Sequence, residues 1–276
     1  MIKEELLKKY ERLRTAVADM GSVVVGFSGG VDSTFLTYVA HDVLGDKALA
    51  VTAMSPTLPE GEELSACQMA AQMGVSHTVI PSQEFESEEF VQNKPDRCYI
   101  CKKIRFAALA ALAKEHQYRW VIDGSNIDDL SDYRPGMKAL QELSDVVRSP
   151  MVEVGLTKGD IRELSKILGL PTWNKQSAAC LASRIPYGVP LSAQCLHQVD
   201  KAEAYIASFV KGSLRVRHHG DIARIEVGCD EIPVVMQHGA EIVQALRQYG
   251  FTYVTVDLGG YAMGSLNEGI ATREER

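Results

Sequence analysis

Two stretches of this chain carry residue types that can do chemistry. The first is Ser28-Gly29-Gly30-Val31-Asp32-Ser33-Thr34. A buried strand read at Val23-Val24-Val25-Gly26-Phe27 precedes it, and a helix read from Phe35 to Leu44 follows. A strand running through glycines into a helix start points backbone N–H groups outward, adds the helix dipole, and lets phosphate oxygens approach closely. The pattern is neither GxxxxGK(S/T) nor GxGxxG. The plain alternative is an ordinary glycine turn with a serine cap. The second stretch is Cys98-Tyr99-Ile100-Cys101, followed by Lys102-Lys103. Such a pair can be half a zinc site, a redox dithiol or two structural cysteines. No second C-x-x-C completes a four-thiolate zinc site, and Cys180 is the only other cysteine in a catalytic-looking loop. Three thiolates suit a four-iron cluster held at three corners, whose open iron can bind sulfide. Unrelated cysteines or a partial zinc site are the alternatives.

The elements that must position these residues alternate. Helical spacing of Leu6, Leu7, Tyr10, Leu13 and Val17 predicts a helix over 2–19. Further strands are expected at 49–53, 77–80 and 120–123, and a last one within 146–151. Helices are expected at 59–73 and 101–114, with another from the Thr157 cap to Leu168. Strands alternating with helices imply a parallel α/β sheet, with ligands at the strand carboxyl ends, where loops 28–34, 53–57 and 123–135 meet. Residues 82–97 read as a polar excursion, with Glu84, Glu86, Glu88 and Glu89 on a solvated face. A domain over 1–188 is expected, then a smaller α+β domain over 189–276. The smaller one has helices near 192–210 and 239–248, and strands at 213–218, 222–227 and 252–258. The ends, Glu268 to Arg276, read as frayed.

The 276 residues carry a net charge of −7, which argues against a dedicated nucleic-acid binder. A charged, helix-like start (Lys3 to Arg14) and the lack of a membrane-length apolar run point to a soluble cytoplasmic protein. In a reducing cytosol the six cysteines do not form a disulfide framework.

The loop at 28–34 resembles the SGGxDS loop of the ATP pyrophosphatases (PP-loop enzymes), which activate a carboxyl or amide oxygen as an adenylate and release pyrophosphate. Later motifs narrow the resemblance: Asp123-Gly124, Asp132-Tyr133-Arg134-Pro135-Gly136, Trp173-Asn174-Lys175, Ser183-Arg184-Ile185-Pro186-Tyr187-Gly188, Arg215-Val216-Arg217, Asp221 to Glu226, and Val256-Asp257-Leu258-Gly259-Gly260. Over nearly its full length the chain is similar to the ATP-dependent sulfur transferases of the LarE family, which make the organic part of the nickel-pincer nucleotide cofactor. One kind in that family sacrifices the sulfur of a single loop cysteine. The other has C-x-x-C plus a loop cysteine, thought to hold a [4Fe-4S] cluster that carries sulfide. Here Cys180 stands one position after the sacrificial place, which holds Ala179, so the resemblance favours the cluster.

The resemblance implies ATP, Mg²⁺ and the cluster as cofactors. It implies a pyridinium mononucleotide dicarboxylate as substrate and a homo-oligomer as the assembly, with an unnamed sulfide source. Gly26, Phe27, Ser28, Gly29, Gly30, Ser33 and Thr34 would form the ATP loop, with Asp32 on Mg²⁺. Thr52, Ala53 and Met54 would meet adenine, and Gly124 the ribose or phosphate. Lys102 would neutralise the α-phosphate or the oxyanion; its alternative is a solvated surface lysine. Cys98, Cys101 and Cys180 would hold the cluster, with Cys180 the sacrificial donor in the rival route. Arg184, Arg215 and Arg217 would take the substrate's phosphate and carboxylates, for which the guanidinium fork is suited. Arg215 and Arg217 alternate along a strand and so share a face; surface arginines paired with acids are the alternative. Glu226 is placed near the pyridinium or a metal. Glu203 reads as an exposed helix position, and His218, His219, Cys67, Cys195 and Cys229 as structural or surface residues. Competing functions are tRNA thiolation, amidation with an ammonia source, and a non-catalytic nucleotide-binding metal scaffold.

Overall fold

The computed structural model describes residues 4–130, 135–176 and 179–262. Asp132, Tyr133 and Arg134, Ser177 and Ala178, and the end from residue 263 lie outside the described residues. In chain order the elements begin with α1 (Glu4–Met20), β1 (Val23–Gly26), α2 (Val31–Leu44), β2 (Ala48–Met54), α3 (Glu62–Gln72) and β3 (His77–Pro81). They continue with α4 (Glu88–Val91), α5 (Arg97–Glu115), β4 (Trp120–Ile122), α6 (Pro135–Glu142), β5 (Val147–Arg148), α7 (Pro150–Glu153) and α8 (Lys158–Ile167). The last are α9 (Ala193–Ile206), β6 (Leu214–His219), β7 (Ile222–Val227), α10 (Ile232–Gln237), α11 (Gly239–Gln248) and β8 (Tyr253–Val256). No described helix is long and apolar enough to cross a membrane.

Contacts divide the chain into two units. The first comprises residues 1–55, 60–87 and 96–178; the second comprises 56–59, 88–95 and 179–276.

The first unit is built on a five-stranded sheet in the order β3-β2-β1-β4-β5, all parallel. Val23, Val24 and Val25 are wholly buried because β1 is covered on both faces, which is why it reads as an unbroken apolar run. Val23 and Val25 enter one layer with Phe35, Val39, Met151 and Ile161. Val24 enters the other with Phe106, Leu109 and Leu140. This is the two-residue alternation of a strand between two layers of helix. The Thr157 cap is a full capping box: its hydroxyl accepts from the Asp160 N–H, and the Asp160 carboxylate accepts from the Thr157 N–H.

Four expectations change. Helix α2 begins at Val31, not Phe35, so Asp32, Ser33 and Thr34 lie in its first turn. Helix α5 begins at Arg97, not Cys101, so both cysteines of the pair are helical. The last strand covers only Val147–Arg148, because Pro150 opens α7 at its first turn, where a missing N–H costs nothing. Glu84 is not solvated: it is fully buried, and Arg105 donates to it at 2.8 Å with Ser82 also bonded. Burial works to raise the Glu84 pKa. The charge of Arg105 and hydrogen bonds from Ser55, Ser82 and Arg105 outweigh burial and hold the carboxyl below its ordinary value.

The second unit holds a three-stranded sheet, β6-β7-β8, with β6 antiparallel and β8 parallel to β7. Leu214, Val216, Ala223, Ile225 and Val227 face a core completed by Ala202, Ile206, Ile242, Leu246 and Phe251. Arg215, Arg217, Arg224 and Glu226 alternate with these and occupy the opposite face.

Because Glu84 has its folded pKa below the unfolded value, its contribution is fully present above the ordinary glutamate range. It is lost as pH falls through the folded pKa. Glu84→Gln removes the carboxylate paired with a part-buried arginine and should cost about 3 kcal/mol or more at neutral pH. In urea unfolding, the gap to wild type should stay constant from about pH 6 to 8 and shrink below about pH 4.5.

Candidate functional site

Strand β1 delivers the chain to a turn that only glycine completes. Gly29 has φ +67°, and a Cβ there would sit 3.3 Å from the Ala66 backbone of α3. Gly30 precedes α2 in extended conformation and supplies no side-chain cap, so first-turn N–H groups of the helix stay available to an anion. Ser33 closes the loop on itself. Its Oγ accepts the Ser28 N–H at 3.2 Å, lies 3.1 Å from the Ser28 Oγ, and donates to the Gly30 carbonyl at 3.3 Å. Gly124, after β4, lies against the same turn: a Cβ there would be 3.2 Å from the Ser33 nitrogen.

Three lysines reach this loop and its neighbours, each paired with an acid. Lys158 bonds Asp32 Oδ2. Lys175 donates to Glu62 at 3.0 Å and to the Gly29 carbonyl at 3.3 Å. Lys102 donates to Asp123 at 3.2 Å and to Ser125 at 3.3 Å. Asp123 is 3% exposed and also accepts from the Ser125 and Ser149 hydroxyls. The Lys102 ammonium is therefore held by two internal partners rather than left to solvent alone. Lys158 and Lys175 were not singled out for a role by sequence reasoning. The capping box that starts α8 with Lys158 was a usable signal, since it fixes that lysine at a helix start.

Asp32 is the unusual acid. Its Oδ1 is buried and has no hydrogen-bond partner among the described residues. Burial pushes its pKa up, and the hydrogen bond and charge of Lys158 only partly offset this. An orphaned buried carboxylate oxygen beside a phosphate-type loop suits a hard cation such as Mg²⁺, which takes oxygen ligands. On β2, Thr52 is buried and donates to the Phe27 carbonyl at 2.8 Å. Met54 is half-buried, and its carbonyl accepts the Ser82 N–H at 2.7 Å.

In the second unit, Arg184 is 3% exposed and fully engaged. It makes a two-point ion pair with Glu203, at 2.8 and 2.7 Å. It also donates to the carbonyls of Ala179, at 2.7 Å, and Cys180, at 3.1 Å. Glu203 is thus not an exposed helix position; it holds Arg184 and accepts the Val216 N–H at 2.9 Å. Arg217 is buried, bonding Glu226 and the Ser183 carbonyl. Glu226 is fully buried between Arg217 and Arg224. Arg215 has no acid partner among the described residues: it donates to the Leu214 carbonyl and lies over the Tyr261 ring at 5.4 Å. Burial, and then the nearby charge of Arg184, lower its pKa.

Cys98 and Cys101 are on one face of the first turn of α5, the former exposed and the latter half-buried. Cys180 is exposed in the second unit. Among the described residues no three histidines, cysteines or acids are gathered closely enough to hold a metal ion.

The family model described as NAD synthase matches residues 5–184. The chain is 36% identical over 264 residues to the pyridinium-3,5-bisthiocarboxylic acid mononucleotide synthase of Lactiplantibacillus plantarum, covering 95% of each chain. This is a LarE-family PP-loop protein. This LarE-family member is also 41% identical over 265 residues to an uncharacterised protein of Synechocystis, covering 95% of this chain and 98% of that one. Its likeness to a glutamine-hydrolysing GMP synthase component of Archaeoglobus fulgidus is 26% over 170 residues, covering 58% of this chain and 55% of that one.

Since the Asp32 pKa is raised on folding, its contribution to stability is fully present below the ordinary aspartate range and is lost as pH rises through the folded pKa. Asp32→Asn should therefore melt at or above the wild-type temperature at neutral pH without nucleotide, and lose that advantage near about pH 3.5. A variant melting several degrees lower at neutral pH would show that the Lys158 pair outweighs burial.

Proposed function

We propose that this protein is an ATP-dependent sulfurtransferase. It adenylates a carboxylate of pyridinium-3,5-biscarboxylic acid mononucleotide and converts it to a thiocarboxylate, releasing AMP and pyrophosphate. The reading is carried by the full-length likeness to the pyridinium-3,5-bisthiocarboxylic acid mononucleotide synthase. It is supported by a loop whose free helix N–H groups, lysines and orphaned Asp32 oxygen match a magnesium–nucleotide.

In the first step a carboxylate oxygen of the substrate attacks the α-phosphorus, the bond to the β-phosphate oxygen breaks, and pyrophosphate leaves. The first turn of α2 receives it, with Lys158 and Lys175 exchanging Asp32 and Glu62 for phosphate oxygens. Asp32 would hold Mg²⁺ through its unpartnered Oδ1 and the Oδ2 that Lys158 releases, and the ion would neutralise phosphate charge. Lys102, held by Asp123, neutralises charge growing on the α-phosphate. Thr52 and Met54 border adenine, and Gly124 the ribose. In the second unit Arg215 is the arginine with a guanidinium to spare, so it takes the substrate's phosphate or second carboxylate, with Arg217 behind it. Arg184 sets the backbone of the Cys180 loop.

In the second step a sulfur nucleophile attacks the acyl carbon and AMP departs. Cys98, Cys101 and Cys180 are thiols that suit a [4Fe-4S] cluster, and two of them already share a helix face. When bound, that cluster supplies a transferable sulfide. We place the enzyme in the cytoplasm as a homo-oligomer.

Anaerobically purified protein given ATP, Mg²⁺ and the pyridinium dicarboxylate should form AMP and pyrophosphate in step with each other; no adenylation would sink the reading. Asp32→Asn should lower AMP formation by about a hundredfold or more. Brown colour should vanish in Cys98→Ala, Cys101→Ala and Cys180→Ala. A colourless, active protein whose Cys180 has lost the mass of H₂S would establish the sacrificial route instead.

A further inference from the structure

The first peptide of the nucleotide loop is pinned on both sides. Its carbonyl, on Phe27, accepts from Thr52 Oγ1 at 2.8 Å. Its N–H, on Ser28, donates to Ser33 Oγ at 3.2 Å. Thr52 Oγ1 has one further partner, His77 Nε2 on the neighbouring strand β3, at 2.9 Å. The direction of this chain follows from proton counting. A hydroxyl has one proton, and a carbonyl can only accept. The Thr52 proton therefore points to Phe27, and the hydrogen between Thr52 and His77 must come from the ring. Nε2 then carries hydrogen. The ring is held for this by an edge-on contact with Phe27, centroids 5.6 Å apart at 83°. Burial also lowers the His77 pKa, which favours the neutral ring.

We propose that His77 is a positioning residue for nucleotide binding: as the Nε2–H tautomer it orients the Thr52 hydroxyl, which fixes the Phe27–Ser28 peptide plane from which the loop's N–H donors start. The proposal rests on the reading of this loop as the ATP site. His77 does not touch the nucleotide; it acts through Thr52. If that plane rotates, the Ser28 N–H leaves Ser33, and the loop no longer presents a fixed set of donors to phosphate. The loss falls on bound ground state and transition state alike, so KM for ATP should rise with kcat little changed.

The test uses the full chain. Nitrogen-15 histidine spectra of the nucleotide-free protein, assigned by the signal missing in His77→Gln, should show an Nε2–H ring for His77. His77→Phe should weaken binding of α,β-methylene-ATP by about fivefold, the worth of one net hydrogen bond. Thr52→Val should weaken it at least as much. His77→Gln, whose amide can donate from a similar place, should stay within about twofold of wild type. An Nδ1–H ring, unchanged binding in His77→Phe, or equal loss in His77→Gln and His77→Phe with normal melting would overturn the proposal. Wild-type protein that binds no analogue would overturn the ATP reading itself, and the positioning role with it.

Discussion

Parallel pairing of β1 with both β2 and β4 is the constraint on which the first unit depends. Parallel strands end on the same edge, so three strand ends, and the loops leaving them, are forced to one place. Those loops cannot pair as sheet and must satisfy their backbone otherwise. Ser33 Oγ does so for the first loop, accepting the Ser28 N–H and donating to the Gly30 carbonyl, with Gly124 packed close against Ser33. The helix that follows then opens with its unpaired N–H groups at the spot where the sheet ends. Those N–H groups stay open because Gly30 brings no side-chain cap to them.

Charge is the second theme, and it is handled in the same way in both units. Lys102, Lys158 and Lys175 each hold an acid, as do Arg184, Arg217 and Arg224. Cations brought close together repel each other, and burial makes this worse. Internal acids hold such cations in place. Asp32 shows the limit of the device: its second oxygen is buried with no partner among the described residues.

The fold was legible wherever one local pattern decided an element. The valine run of β1, the Gly29 turn and the Thr157 cap each state their structure within a few residues. What was not legible depended on distant partners. Glu84 sits in a string of acids that reads as solvated, and its partner Arg105 is 21 positions away on another helix. Glu203 looks like an outward helix position until Arg184 is brought to it. Lys158 is a helix-start lysine by pattern and a partner of Asp32 only once α8 is laid beside the loop. Family motifs carried the arginines of the second unit. They did not reveal that two of the three are spent on internal acids while Arg215 has no acid partner among the described residues.

The guanidinium of Arg184 reads positions 179 and 180 only through their carbonyl oxygens. Backbone oxygens are the same for every amino acid, so this anchor is indifferent to which side chain stands at either position. A cysteine can move from one to the other, or be lost, without loosening the loop that carries it. Substitution at either position leaves the guanidinium anchor, and the stretch of backbone it holds, in place.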